Sequence, residues 1–310
     1  MLYSTVRMSD GSFHKVARLI LGAGGFGTGV SRDDAFKMMD MYWEAGGNAL
    51  DTARVYGAWA PGGDGASERT VGEWVRSRGV EKEVFVITKG AHPPLGDMMH
   101  SRLSREDIFF DVEKSMEALG LNRIDLYYLH RDEAARPVAD IMESLHEAQK
   151  KFPITAIGAS NWHVSRIQEA NAYAAKAGVS PFTASELRWS YVDFPKGVGD
   201  PTLVTMDETE RAGYLEMDLA VMAYTSQGTG LFLRGYAPDL SDVSPKHADM
   251  ATPENVCRYQ ALLERCRREK ITPSRVVIRH VTDDAQLNAF ALVSGSKLSQ
   301  IQDSLDAVKE

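Results

Sequence analysis

The sequence predicts an α/β fold, a closed (β/α)8 TIM barrel with a short N-terminal β-hairpin. Three observations predict it. Apolar, β-rich runs alternate with longer amphipathic stretches, this alternation occurs eight times in 310 residues, and runs such as 84–87 are continuously apolar. Strands that helices cover on both faces have this continuous apolar character, as in parallel sheets. Eight such units fit a closed barrel better than an open doubly wound sheet.

The elements follow one another without a linker or a low-complexity tract. Two polar, strand-like runs surround Asp10 and Gly11, a residue pair typical of hairpin turns. The strand and helix units then come in the order LILGAG with 33–46, NALDT with 67–79, VFVITKG with 104–120, IDLYYLH with 137–150, ITAIGAS with 163–177, PFTASEL with 206–215, LAVMAYT with 253–269 and 273–283, and AFALVSG with 298–309. Residues 1–310 are therefore predicted to form a single domain.

The composition excludes several classes of function. The net charge is −8 with acids and bases interleaved, which is not the basic footprint that nucleic-acid binding requires. The sequence has no apolar run of about 18 residues and no basic segment before an apolar one, so neither a membrane span nor a signal peptide is predicted. Cys257 and Cys266 lack the spacing of a disulfide framework or a metal site. We predict a cytoplasmic protein with a small-molecule partner, no metal and an unassigned oligomeric state.

Ionisable side chains stand at the ends of successive predicted strands. Asp51 ends one strand, Tyr56 follows five residues later, and Lys89 and His130 end the next two strands. In a barrel these strand ends meet at one mouth. A phenol has an ordinary pKa of about 10, so Tyr56 needs a stabilised anion to act as an acid near neutral pH. We expect Lys89 to lower the pKa of Tyr56, Asp51 to keep Lys89 charged, and His130 to hydrogen-bond a carbonyl oxygen.

The motifs that carry these residues resemble those of a known family. GGNALDTARVYG, VITKG, DLYYLHRD and IGASNW appear in this order, and this arrangement resembles the aldo-keto reductases, (β/α)8 barrels that reduce aldehydes and ketones with a nicotinamide cofactor. The resemblance extends from about residue 15 to the C-terminus. It implies that Tyr56 donates the proton, that Lys89 and Asp51 tune it, and that His130 orients the carbonyl.

The resemblance also implies cofactor contacts. Ser160 and Asn161 match the pair that hydrogen-bonds the carboxamide. Glu186 stands where glutamine is common, and Trp189 stands where an aromatic ring stacks on the nicotinamide. The contacts implied on the pyrophosphate and adenosine side are Thr225, Ser226, Gln227 and Gly228, followed by Gly295, Ser296, Lys297, Gln300, Asp303 and Ser304. Since Lys297 takes the basic position beside the adenosine phosphate, NADP(H) is favoured and NAD(H) is the alternative.

The glycine-rich stretch GAGGFGTG at 22–29 satisfies G-x-G-x-x-G, the pattern of many dinucleotide-binding turns. That fingerprint requires a helix that starts at the last glycine. Ser31 instead has the position of an N-cap for a helix that starts near Arg32. We interpret the stretch as the first βα loop of the barrel, beneath the nicotinamide or the substrate.

The substrate is predicted to bind among the loops that follow the strands. Trp59, His92 and Trp162 are candidate lining residues, although each has a plain alternative as a packed aromatic or a solvated histidine. The polar, glycine-rich surroundings of Trp59, with Arg131 and Asp132, are compatible with a sugar or another hydroxylated carbonyl.

Two other functions stay open at this point. The barrel is also compatible with a nicotinamide-sensing accessory subunit that has little turnover, although the complete set of four residues argues against it. A phosphate-binding lyase or isomerase would use Lys89 as a Schiff-base amine.

Overall fold

A computed structural model of the chain describes residues 1–309. The strands in this range are β1 (Tyr3–Arg7), β2 (Phe13–Ala17), β3 (Leu19–Gly22), β4 (Ala49–Asp51), β5 (Phe85–Gly90), β6 (Leu126–Leu129), β7 (Ile157–Ser160), β8 (Ala184–Arg188), β9 (Ala220–Tyr224) and β10 (Asn288–Val293). The α-helices are α1 (Arg32–Glu44), α2 (Ala66–Arg78), α3 (Arg105–Leu119), α4 (Val138–Lys151), α5 (Val164–Ala177), α6 (Glu208–Leu215), α7 (Pro253–Glu269), α8 (Pro273–Thr282) and α9 (Leu298–Ala307).

The strands form the predicted barrel. Strands β3 to β10 pair in chain order, every pair is parallel, and β10 closes the barrel on β3. Strands β1 and β2 form a separate antiparallel hairpin in which Tyr3 lies opposite Ala17. The fold class that the sequence predicts is therefore confirmed, including the hairpin.

The hairpin closes the end of the barrel that lies opposite the strand-end residues. Val6 and Val16 of the hairpin belong to the same buried cluster as Ile20 of β3 and Phe85, the first residue of β5. The amino-terminal ends of the strands are thereby covered by apolar side chains, and their carboxyl ends remain available for a site.

The glycine-rich stretch forms a loop, as predicted. Helix α1 begins at Arg32, and the Ser31 hydroxyl accepts a hydrogen bond from the Asp34 amide at 3.2 Å. The helix N-terminus is thus satisfied by a side-chain cap several residues after the last glycine of the pattern. This confirms that the stretch is the first βα loop and not a Rossmann turn.

The long segment between β9 and α7 is ordered by contacts of its own. It contains two 3-10 turns, Gly228–Leu233 and Pro245–Met250. Phe232 stacks on Tyr259 of α7 with ring centroids 5.1 Å apart. The buried His247 joins the two turns, since its Nε2 lies 3.2 Å from the Thr229 carbonyl. A stretch that looks irregular in the sequence is therefore a structured lid on the barrel mouth.

Within residues 1–309, none of the helices is long and apolar enough to cross a membrane.

Tyr42 ties helix α1 to the barrel wall. Its hydroxyl donates to the Leu19 carbonyl at 2.7 Å and accepts from the Ala49 amide at 3.1 Å, and both hydrogen bonds are buried. One side chain therefore satisfies backbone groups at the start of β3 and of β4.

We predict that Tyr42→Phe lowers the free energy of unfolding by about 1–3 kcal/mol, because it leaves two buried backbone groups without a partner. Urea denaturation monitored by circular dichroism measures the change. The control is Tyr173→Phe, which removes an exposed hydroxyl hydrogen-bonded to Glu143 and should change stability little. Equal stability of Tyr42→Phe and the wild type would contradict the prediction.

Candidate active site

The four predicted strand-end residues lie together at the barrel mouth. Lys89 places its Nζ 2.6 Å from each carboxylate oxygen of Asp51. The same Nζ lies 5.3 Å from the centre of the Tyr56 ring, and that ring meets His130 edge-on with centroids 5.8 Å apart. The parallel barrel explains this convergence, because neighbouring strands end at the same face.

A fifth residue, Glu186 on β8, completes a buried ionic cluster. Its Oε1 lies 3.3 Å from the Nζ of Lys89, and the side chains of Lys89, Asp51 and Glu186 are 0%, 2% and 2% exposed. Burial disfavours the charged ammonium, but the carboxyl groups of Asp51 and Glu186 outweigh it and raise the pKa of Lys89 above its ordinary value. Lys89 is therefore a charged group held by two carboxyls.

This charge state argues against a Schiff-base function. An amine must lose its proton before it attacks a carbonyl carbon, and lysines that do so have a lowered pKa. Lys89 has a raised pKa and is fully buried between its carboxyl partners. The structure therefore disfavours the lyase or isomerase hypothesis.

Burial governs the ionisation of Tyr56. It raises the pKa of Tyr56 to about 12, while Lys89 acts in the opposite direction. The sequence-based expectation that Lys89 leaves Tyr56 with a lowered pKa is thus wrong for the net direction, because desolvation of the phenolate is the larger effect. Tyr56 carries its proton at neutral pH, and the ammonium limits how far the pKa rises.

His130 is buried as a neutral imidazole. Burial, followed by the positive charge of Arg131, holds the pKa of His130 well below its ordinary value. Its Nδ1 has no hydrogen-bond partner among residues 1–309. A neutral imidazole can take part in a hydrogen bond without adding charge to the site.

A cleft of about 740 Å³ leads away from this cluster. Asp51, Tyr56 and Glu186 line its inner end, above the first βα loop with Gly22 and Gly24. Among the implied cofactor contacts, those that line the cleft are Glu186, Thr225, Gln227, Gly295, Ser296, Gln300 and Asp303. A volume of this size suits a sizeable small-molecule ligand.

Other residues that the resemblance implies as cofactor contacts are not among the residues that line the cleft. The Ser226 hydroxyl donates to the Leu292 carbonyl at 2.6 Å. Gln227 donates to the Ser304 hydroxyl at 3.1 Å, which joins the loop after β9 to helix α9. Gly228 has a positive φ of 53°, and a side chain there would meet Val192.

Asn161 is engaged by protein groups. Its amide nitrogen donates to the Ser160 hydroxyl at 3.1 Å, and its amide oxygen accepts from the Val204 amide at 3.3 Å and from the hydroxyl of Tyr224. The side chain thus ties β7, the loop before α6 and β9 together at the mouth. A carboxamide contact of Ser160 or Asn161 stays a prediction.

Two of the predicted tryptophans are buried, and their contacts with cofactor and substrate stay predictions. Trp189 is buried and meets His280 edge-on at 6.1 Å between ring centroids, outside the residues that line the cleft. Tyr224, the last residue of β9, lines the cleft beside Glu186 instead. Trp162 is fully buried against Phe182 and belongs to the core. Trp189 directly follows the last residue of β8 and Trp162 lies two residues after the end of β7, and both rings are packed inside the protein.

The remaining aromatic candidates lie beside Tyr56 and His130. Trp59 is 56% exposed, and its ring centroid lies 6.3 Å from that of Tyr56. His92 is half-buried and meets His130 edge-on at 4.7 Å. Burial lowers the pKa of His92 below its ordinary value. Tyr56 is therefore flanked by aromatic rings.

The basic side chains at the outer end of the cleft differ from the predicted one. Lys297 is exposed and lies outside the lining, where its backbone amide donates to the Gln300 side chain at 3.1 Å. Arg234 and Lys246, both exposed, line the cleft together with Ser296. Arg234 and Lys246 were not predicted, because the segment 227–252 is noticeable in the sequence for its length but contains no motif.

Comparison with known proteins agrees with this architecture. The model of the aldo/keto reductase family matches residues 18–310. A putative aryl-alcohol dehydrogenase of Saccharomyces cerevisiae is 23% identical over 95% of this chain and 79% of its own length. A norsolorinic acid reductase of Aspergillus flavus is 24% identical over 97% of this chain and 76% of its own. An NADP(+) aryl-alcohol dehydrogenase of Phanerodontia chrysosporium is 29% identical over 54% of this chain and 44% of its own.

The neutral state of His130 can be tested by following its NMR signals as the pH is changed. Because the buried imidazole has a strongly lowered pKa, its ring signals should stay constant from about pH 8 to about pH 5.5, one unit below the ordinary histidine value of about 6.5. Heteronuclear spectra of labelled protein, assigned with His130→Gln, measure this. Movement of the His130 signals in this range would contradict the prediction.

Proposed function

This chain belongs to the aldo/keto reductase family, and on that premise we propose that it is an NAD(P)H-dependent reductase in which Tyr56 is the proton donor. The reaction interconverts an aldehyde or ketone and its alcohol. The observation that carries the proposal is the meeting of Tyr56, Lys89, Asp51 and His130 at the barrel mouth, where Asp51 and Tyr56 line one cleft.

The cleft has features that fit a nicotinamide dinucleotide. Its inner end has a buried polar atom without a hydrogen-bond partner among residues 1–309, the Oε2 of Glu186. Its outer end carries the cations Arg234 and Lys246, which suit phosphate groups. When bound, such a cofactor supplies the hydride for carbonyl reduction or accepts it from the alcohol.

Tyr56 can give up its proton only where a negative charge develops. Its pKa of about 12 keeps it protonated at neutral pH, and a carbonyl oxygen becomes far more basic as hydride reaches its carbon. The charged Lys89 stabilises the tyrosinate that remains. Asp51 holds the ammonium in place with two hydrogen bonds of 2.6 Å.

His130 contributes orientation. A neutral imidazole beside Tyr56 can donate a hydrogen bond to the carbonyl oxygen and so direct it toward the phenol. Since its pKa is strongly lowered, His130 does not compete with Tyr56 as the acid.

We infer an aromatic aldehyde or alcohol as the substrate class. Trp59, Tyr56, His130 and His92 form a continuous series of ring contacts in that order. Stacked or edge-on packing with such rings favours an aromatic partner. The names of the similar aryl-alcohol dehydrogenases agree with this choice. A hydroxylated carbonyl, which the loop composition suggests, is the alternative for a substrate screen.

We predict that Tyr56→Phe lowers kcat for carbonyl reduction by about 10²–10⁴-fold, the contribution of a general acid. The affinity for NADPH should be retained, because the phenylalanine ring keeps the shape of the cleft. Steady-state rates and fluorescence titration measure the two quantities. Tyr173→Phe, which removes an exposed hydroxyl on α5, is the matched control.

A Tyr56→Phe variant with wild-type turnover would refute the assignment of the proton donor. Tight NADPH binding by the wild type, with no turnover on any aromatic or hydroxylated carbonyl, would instead favour the accessory-subunit hypothesis.

We further propose that Arg234 and Lys246 bind cofactor phosphate and favour NADPH over NADH. Arg234→Ala and Lys246→Ala should each weaken NADPH binding by about tenfold or more, since a hydrogen bond to a charged group contributes about 1.5–3 kcal/mol. Fluorescence titration with both dinucleotides at fixed salt measures the effect. Lys297→Ala is the control and should change little. A larger loss in Lys297→Ala than in the other two variants would restore Lys297 as the phosphate ligand.

A further inference from the structure

Glu186 is a buried carboxyl group to which the proton-transfer steps above give no role. It lies near the end of β8, is 2% exposed and lines the inner end of the cleft. Its Oε1 contacts the Nζ of Lys89 at 3.3 Å. Its Oε2 is fully buried and has no hydrogen-bond partner among residues 1–309.

Two carboxyl groups thus share one ammonium. Asp51 holds the Nζ of Lys89 with both oxygens at 2.6 Å, whereas Glu186 approaches with one oxygen at 3.3 Å. If both were ionised, the buried cluster would carry an uncompensated negative charge, which is costly away from water. Glu186, the more distant partner, is therefore the group that keeps a proton. In agreement, burial raises the pKa of Glu186 to about 8, with a further contribution from Asp51.

Resting on the proposed function, we propose that Glu186 is a positioning residue for proton transfer that acts on Tyr56 through Lys89. When Glu186 is neutral, the ammonium is shared between Asp51 and the phenol. When Glu186 loses its proton, it draws on the same ammonium and adds a negative charge near the phenol. Both effects make the tyrosinate less stable.

The lysine and the tyrosines around Glu186 do not titrate near neutral pH. The titratable groups that interact with it electrostatically are Asp51 on β4, Tyr56 in the following loop, Lys89 on β5, Tyr128 on β6 and Tyr224 on β9. Burial raises the pKa of each of these tyrosines. Lys89 stays charged. Burial raises the pKa of Asp51 while Lys89 lowers it, and the two contacts of 2.6 Å with Lys89 favour an ionised Asp51 over an ionised Glu186, which has one contact of 3.3 Å. Glu186 is thus the group whose proton changes the charge of this cluster around neutral pH.

A change at Glu186 should shift the pH dependence of alcohol oxidation in a defined direction. Oxidation needs the tyrosinate as the base, so kcat/KM rises with pH as Tyr56 ionises. Glu186→Gln removes the negative charge and frees the ammonium for the tyrosinate. The midpoint of the rising limb should therefore move to lower pH by about one unit or more, the size of shift that a nearby charge produces. The pH profile of kcat/KM with an aromatic alcohol measures it.

Glu68 provides a matched control. It is a fully buried glutamate on α2 whose pKa burial raises to about 7, and its Oε2 also lacks a partner in the described chain. It accepts a hydrogen bond from the Thr88 hydroxyl at 2.6 Å and lies outside the cleft lining. Glu68→Gln makes the same chemical change away from Tyr56, so it should leave the midpoint where it is in the wild type.

Infrared spectroscopy of the cofactor-free protein gives a readout independent of turnover. A neutral buried carboxylic acid has a carbonyl stretch separate from the carboxylate bands. One such band should disappear as pH rises through about 8, the pKa of Glu186, and should be missing in Glu186→Gln but present in Glu68→Gln. Absence of a titrating band that depends on Glu186 would overturn the inference.

The outcomes separate this inference from the proposed function. Wild-type turnover that Tyr56→Phe abolishes, with the same midpoint in Glu186→Gln as in the wild type, would overturn the role of Glu186 alone. A lower rate at every pH without a shift has the same meaning, because it indicates a structural role. A wild type without turnover would refute the proposed function itself. If Glu186→Gln fails to fold, Glu186→Asp withdraws the carboxyl from Lys89 and should move the midpoint in the same direction by less.

Discussion

The buried ion pair between Lys89 and Asp51 is the interaction on which the candidate site depends. An ammonium that is 0% exposed is tolerated because two carboxylate oxygens lie 2.6 Å away. Removing Lys89 would leave the charge of Asp51 unpaired inside the barrel, which is strongly unfavourable. The pair fixes β4 against β5 and presents one positive charge to Tyr56. The pKa of the phenol therefore depends on how much of this positive charge the carboxyl groups leave for it.

The rest of the site is arranged around this charge. Burial works against every ionised form, so His130 is neutral and Tyr56 keeps its proton. Glu186 adds a second carboxyl whose proton sets how much of the ammonium is left for the phenol. At the other end of the cleft, the cations Arg234 and Lys246 are exposed. The inner end of the cleft is thus buried and close to electrically neutral, whereas its outer end is exposed and basic.

Much of the fold could be predicted from local pattern. Continuous apolar runs followed by amphipathic stretches determine β3 to β10 and their helices, and the Asp10–Gly11 turn determines the hairpin. The start of α1 several residues after the last glycine was predictable too, since the N-cap Ser31 accepts its hydrogen bond from Asp34, a residue close to it in the chain. Side chains that point inward or outward at a strand end were less predictable. Trp162 and Trp189 follow polar strand-end residues, but tertiary packing places them against Phe182 and His280.

The sequence by itself determined the barrel and the convergence of Asp51, Tyr56, Lys89 and His130, because parallel strands in sequence order must end at one face. Only the tertiary structure decided the charge state of that cluster. Desolvation and the distance from Lys89 to Glu186 depend on neighbours far apart in the chain, so the raised pKa of Tyr56 could not be predicted from residue types. The same holds for Arg234 and Lys246. Their segment reaches the cleft through packing on α7 and the contacts of His247, which no local motif encodes.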